Sequence, residues 1–149
     1  MHATYLVRRV TRPKLYNPLI QHHGTQVLQI NGQQAVYHGV DQEGRPVQIV
    51  EPVIDFGDDN LVKVQTQEHF ARNLPLTVKE PKEIPKSEFE VRYQTVITDV
   101  RPYSVAERDC ETTTDILVEG KPLYGQRKGW TLGLLGLGIL VWAIRGAKA

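Results

Sequence analysis

Cysteine is nearly absent: Cys110 is the only one in a chain of 149 residues. No disulfide can close within one copy, and no cysteine-based zinc site can be assembled from it. An excess of one charge is missing too, since 18 Lys plus Arg face 17 Asp plus Glu. No overall field draws the chain to nucleic acid, so any such attraction must come from a local patch. The stretch Met1-His2-Ala3-Thr4-Tyr5-Leu6-Val7-Arg8-Arg9 lacks an uninterrupted apolar h-region, so export by a signal peptide is not expected.

Catalytic signatures are equally scarce. There is no G-x-S-x-G elbow, no P-loop and no histidine pair at i, i+4 among His2, His22, His23, His38 and His69. His22 and His23 are adjacent, and neighbours on an extended segment point in opposite directions, so they read as a polar loop pair. Asp55, Asp58, Asp59 and Asn60 have the composition of a calcium loop without its spacing and read as turn chemistry. Asp55-Phe56-Gly57 repeats a kinase triplet without that fold's other motifs. Cys110, beside Asp109 and near Arg108, has no histidine close in sequence, and a reactive thiol would need a partner supplied by tertiary contact. The expectation is a protein without catalytic, metal or cofactor residues.

What stands out is the run Trp130 to Ile144, WTLGLLGLGILVWAI, fifteen residues without a charge. As a helix it covers only about 22 Å of a ~30 Å hydrocarbon core. Trp130 and Trp142 sit near its two ends, where indole rings favour the headgroup region, and Arg127, Lys128 and Arg145 can extend their charges outward. Glycine, which weakens helices in water, is tolerated in membranes. Gly129, Gly133 and Gly136 follow i, i+4, i+7 and share one face, the small-residue spacing that lets a second helix approach closely. Residues 126–149 are therefore expected to form a single C-terminal transmembrane anchor. The weak basic bias before it (Lys121, Arg127, Lys128 against Arg145, Lys148) places the preceding domain on the cytoplasmic side.

Residues 25–125 read as β-rich. Asn31-Gly32 between Val27–Ile30 and Gln33–Tyr37 is a hairpin signal, because both turn positions need positive φ. A third strand over Arg45–Val50 completes a meander, Leu61–Gln65 gives a fourth, and Gln67–Asn73 a short helix closed by Pro75. Residues 79–88, with two prolines among mixed charges, suggest an extended connector. Glu88 to Val100 alternates as a long half-buried strand, and Asp115–Val118 with Lys121–Tyr124 as another hairpin. The fold class is mainly β: a small antiparallel β-barrel or sandwich of about seven strands with one C-terminal transmembrane helix.

Residues 1–24 form a basic N-terminal arm in this reading. Arg8, Arg9, Arg12 and Lys14 gather there with Tyr5 and Tyr16 and no acid, a patch that could meet nucleic acid or another anionic partner. In outline the arrangement is similar to accessory subunits of membrane complexes and to minor membrane-associated proteins of virions. It implies a structural subunit that ties a larger protein assembly to a bilayer, with its β domain cytoplasmic or virion-facing. The alternative is a membrane-tethered module that recruits an anion through its basic N-terminus.

Overall fold

The computed structural model describes residues 3–40, 43–57, 61–99 and 109–121. Strands β1 (Thr4–Pro13) and β2 (Gln21–Ile30) pair antiparallel from Tyr5↔Ile30 to Pro13↔Gln21, with one register shift between Leu6 and Val7. Residues 4–13, expected within an arm, instead lie inside the sheet, paired on both sides. Tyr5 and Val7, two apart on β1, and their partners Ile30 and Val27, which the register shift brings to the same face of β2, become buried once the strands pair.

The Asn31-Gly32 turn forms as expected, with φ of 55° and 79°, and returns the chain as the short β3 (Gln33–Gln34). The expected meander does not continue in one sheet. Ala35 is fully buried and its amide bonds back to Leu28, so the chain leaves β2 there. Strands β4 (Val36–Val40) and β5 (Pro46–Val50) then pair as a separate two-stranded ribbon. Strand β6 (Val53–Phe56), unanticipated because a proline and an acidic turn flank it, is buried throughout and pairs with β2. Strand β7 (Val62–Gln65) follows where a strand was expected and pairs with β6.

Helix α1 (Gln67–Ala71) starts at Thr66, whose Oγ1 accepts from the His69 amide at 3.0 Å, and stops where Arg72 turns left-handed (φ 50°). Strands β8 (Thr77–Val78) and β9 (Lys82–Pro85) both pair with β1, so the expected connector contributes a strand. The result is an antiparallel seven-stranded sheet with path β7-β6-β2-β1-β8, β3 joining β2 and β9 joining β1.

Two expected β segments are helices. Helix α2 (Lys86–Thr98) replaces the strand read over Glu88–Val100. Phe89, Tyr93 and Val96 fit i, i+4, i+7 as well as Phe89, Val91 and Tyr93 fit alternation, and the former set is the buried one. Helix α3 (Cys110–Glu119) takes up Asp115–Val118, the first half of the expected hairpin, while Pro122–Tyr124 of its second half lie outside the described residues. Asp109 caps its start, accepting from the Thr112 amide at 2.7 Å, and Gly120 (φ 86°) ends it. Arg92 on α2 donates to the Leu117 and Val118 carbonyls at 3.1 and 3.2 Å, satisfying acceptors that a helix end leaves open. Ile116 and Leu117 pack with Tyr5, Phe89 and Val96 in the main core, and Val10, Val53 and Phe70 form a smaller cluster. Each such fully buried side chain stabilises by roughly 1.5–3 kcal/mol.

Among the described residues no helix is long and apolar enough to cross a membrane. The expected anchor, with Gly129, Gly133, Gly136, Trp130, Trp142, Arg127, Lys128 and Arg145, lies outside the described residues.

Candidate active site

Sheet register explains how residues far apart in sequence meet. Gly24 on β2 pairs directly with Asp55 on β6, and His22 lies two residues along β2, on the same face. The imidazole Nε2 of His22 is 2.5 Å from Asp55 Oδ1 in a buried contact. Asp55 is held from its other side, where Oδ2 accepts from Gln65 Nε2 at 2.7 Å. Thus Asp55, read from sequence as part of an acidic turn, is a strand residue oriented toward a histidine.

Cys110 completes the line. It is the first residue of α3, which packs on β2, so its sulfur lies at the positive end of a ten-residue helix. The backbone N–H of His23 donates to Cys110 Sγ at 3.5 Å, which places the thiol beside the His22–His23 segment of β2. Burial pulls the His22 imidazolium down, but hydrogen bonds to Asp55 and Cys110, with the charges of the same groups, outweigh it and raise the group to about 9. The ring also stacks on Phe70 of α1, with centroids 5.4 Å apart and planes 25° from parallel. That approach depends on Gly24, since a Cβ there would stand 2.8 Å from Phe70 Cε1 and 2.9 Å from Val53 Cγ1.

The neighbouring His23 is in the opposite state. Arg9 Nη1 donates to His23 Nδ1 at 2.7 Å, so that nitrogen accepts and the ring is neutral. Burial first, then the charges of Arg9 and His22, lower His23 to about 4. Arg9 also forms a buried ion pair with Asp115 on α3. One guanidinium therefore ties the helix that carries Cys110 to the strand pair that carries His22.

The four basic residues singled out from sequence are not gathered on one open surface. Alternation along β1 sends Arg8 and Arg12 to one face and Arg9 to the other. Arg8 Nε donates to Gln26 Oε1 at 2.9 Å. Arg12 is 7% exposed, donates from Nε to the Phe70 carbonyl at 2.6 Å, and lies 5.5 Å from that ring's centroid. Lys14 Nζ lies 5.8 Å from the Tyr16 ring centroid.

A thiol, a histidine and a carboxylate are the residue types that covalent acyl-transfer chemistry draws on. Sequence reasoning missed the set because His22 and Asp55 are 33 positions apart and His23 and Cys110 are 87 apart. One local signal was readable: Asp109 immediately before Cys110, with Gly120 at the far end, brackets a helix that opens on a cysteine. Among the described residues no group of three or more His, Cys, Asp or Glu side chains is placed to hold a metal ion. Compared with protein-family models, curated proteins and solved structures, the chain matches none.

Proposed function

We propose that this protein is a thiol-dependent acyl-transfer enzyme or hydrolase, carried by the Cys110–His22–Asp55 line, with its β domain tethered to a membrane by residues 126–149. The Cys110 sulfur attacks a carbonyl carbon and forms the C–S bond. His22, charged at neutral pH and held by Asp55, gives its proton to the departing alcohol, thiol or amine as the old acyl bond breaks. Water or an acceptor hydroxyl then attacks the thioester and yields its proton to His22 as the C–S bond breaks, and the sulfur leaves as the thiolate, the form in which it attacked. The helix start at Cys110 favours negative charge on the sulfur during this cycle, and Arg9–Asp115 keeps α3 seated.

The test is acylation of the full-length protein in detergent by p-nitrophenyl esters, read by intact mass and peptide mapping. One acyl group should appear on Cys110, be absent in Cys110→Ser, and form at least about 100-fold more slowly in His22→Gln, as loss of a general acid–base group implies. If no adduct forms and ester turnover is the same in Cys110→Ser, the enzyme reading is wrong.

A second reading, a non-catalytic subunit that ties a larger assembly to a membrane, is favoured by the burial of Cys110, whose residue is 3% exposed. It places the polar cluster in a structural role and the partner surface on the glycine face of the anchor. Iodoacetamide separates the two readings: a working thiol alkylates in the native state, whereas a structural one does so only on unfolding. Recruitment of nucleic acid or another anion through Arg8, Arg9, Arg12 and Lys14 draws on less, because Arg9 and Arg12 direct their guanidinium groups to intramolecular acceptors.

A further inference from the structure

The loop joining β1 to β2 is apolar where a strand connection facing water would be polar. Leu15, Tyr16, Leu19 and Ile20 are 59%, 75%, 92% and 45% exposed. Four large apolar residues thus stand clear of the core within six positions, a patch of the kind that marks an interaction surface. The loop is nevertheless internally built. Lys14 N donates to the Ile20 carbonyl at 2.8 Å, Asn17 N to Lys14 at 3.3 Å and Ile20 N to Asn17 at 3.0 Å. Leu19 N donates to Asn17 Oδ1 at 3.2 Å, and Pro18 has no amide proton. Most of its backbone donors are therefore satisfied before anything touches it, which is what a loop must achieve to leave water without a large penalty.

We propose that this tip, Lys14 to Ile20, dips into the interfacial region of a lipid bilayer. Charge is compatible with lipid: the described residues from 3 to 40 contain no Asp or Glu, and Lys14 stands in the tip itself, whereas Arg9 and Arg12 turn to intramolecular acceptors. Tyr16 and Lys14 are side chains that keep apolar stems in the acyl boundary and polar ends among headgroups. Chain length permits it. Nine residues, 121–129, separate Gly120 from the apolar run that starts at Trp130, so a bilayer holding that run stays within roughly 30 Å of the end of α3. The inference rests on the anchor reading in this respect, and is independent of the thiol chemistry.

The test uses the full chain reconstituted in vesicles of phosphatidylcholine and phosphatidylglycerol. A nitrobenzoxadiazole label is placed at Leu19→Cys, or at Gln33→Cys as control, both in a Cys110→Ser background. Gln33 is exposed and sits at the other end of the ten-residue β2. The tip label should emit at shorter wavelength, lose emission to spin-labelled lipid and resist iodide, while the Gln33 label responds only to iodide. A chain that binds vesicles with an iodide-accessible tip label overturns this proposal and leaves the anchor standing. A chain that does not bind vesicles overturns both. A blue-shifted tip label indifferent to lipid quencher marks a protein contact, such as a second copy, and overturns the lipid assignment.

Discussion

Asp55 Oδ1 lies 2.5 Å from Nε2 of His22, and this contact joins β6 to β2 across a buried face. It makes stability depend on pH in a defined window. Below the unfolded value of ~6.5 both states carry the His22 proton and the benefit is complete; above it only the folded state does, until about 9. Stability should fall as pH rises from 6.5 to 9, by on the order of 3 kcal/mol. His23 acts on the other side: with a folded value of about 4, it loses stability as pH drops below ~6.5, because the unfolded chain takes up a proton that the folded one refuses. Urea midpoints across this range should peak near pH 6.5. Asp55→Asn should shrink the alkaline limb, and His23→Gln the acidic one. A midpoint constant from pH 6.5 to 9 would falsify the charged His22.

Gly24 is required by what passes over it rather than by its backbone angles. Gly24→Ala places a methyl group within 2.9 Å of both Phe70 and Val53, two of the three residues of the smaller buried cluster. The expected cost is about 1–3 kcal/mol in urea unfolding. Phe70 also stacks on His22, so Cys110 acylation should slow in the same variant. Gly24→Ala/Phe70→Leu should recover part of the stability, since the shorter side chain relieves the overlap. A single substitution as stable as wild type would show that Phe70 does not sit this close.

Legibility of the sequence followed the range of the interactions. The Asn31-Gly32 turn was readable because two adjacent residues carry the whole conformational demand, and both adopt positive φ. The short helix at Gln67 was readable before the Pro75 that closes it. Residues 88–98 were not, because Phe89, Val91, Tyr93 and Val96 satisfy both periodicities and only packing against α3 decides between them. In α3 the run Thr112-Thr113-Thr114 has poor helix propensity, and caps at both ends with nearly complete burial override it. The Cys110–His22–Asp55 cluster was invisible for a different reason: it exists only through the β2–β6 register and the seating of α3.

The Arg9–Asp115 ion pair should behave as a buried pair does. Asp115 has a side chain 2% exposed and Arg9 12%, so removing one partner leaves a charge poorly placed for water. Asp115→Asn should destabilise by roughly 3–5 kcal/mol, and Arg9→Met/Asp115→Leu by clearly less than the sum of the single changes. Because the pair seats α3, the single variants should also slow acylation of Cys110 at pH values where the protein is folded. Additive effects in the double-mutant cycle would show that the two groups do not communicate.

The proposed anchor and its proposed glycine face are separable by design of the substitutions. Deleting Gly129 to Ala149 should move the protein from the membrane fraction to the soluble one, because it removes the strongly apolar run Trp130–Ile144. Gly133→Leu/Gly136→Leu should leave membrane levels unchanged, since leucine inserts at least as readily as glycine. The added side chains occupy the face on which a second helix would lie, so a partner subunit that co-purifies with the wild type should be recovered in smaller amount. Leu135→Ala, on the bulkier stripe, should matter less if that stripe faces lipid. Should the double leucine variant retain its partner fully in a quantitative pull-down, the glycines form no interface. Recruitment would then have to run through the β domain.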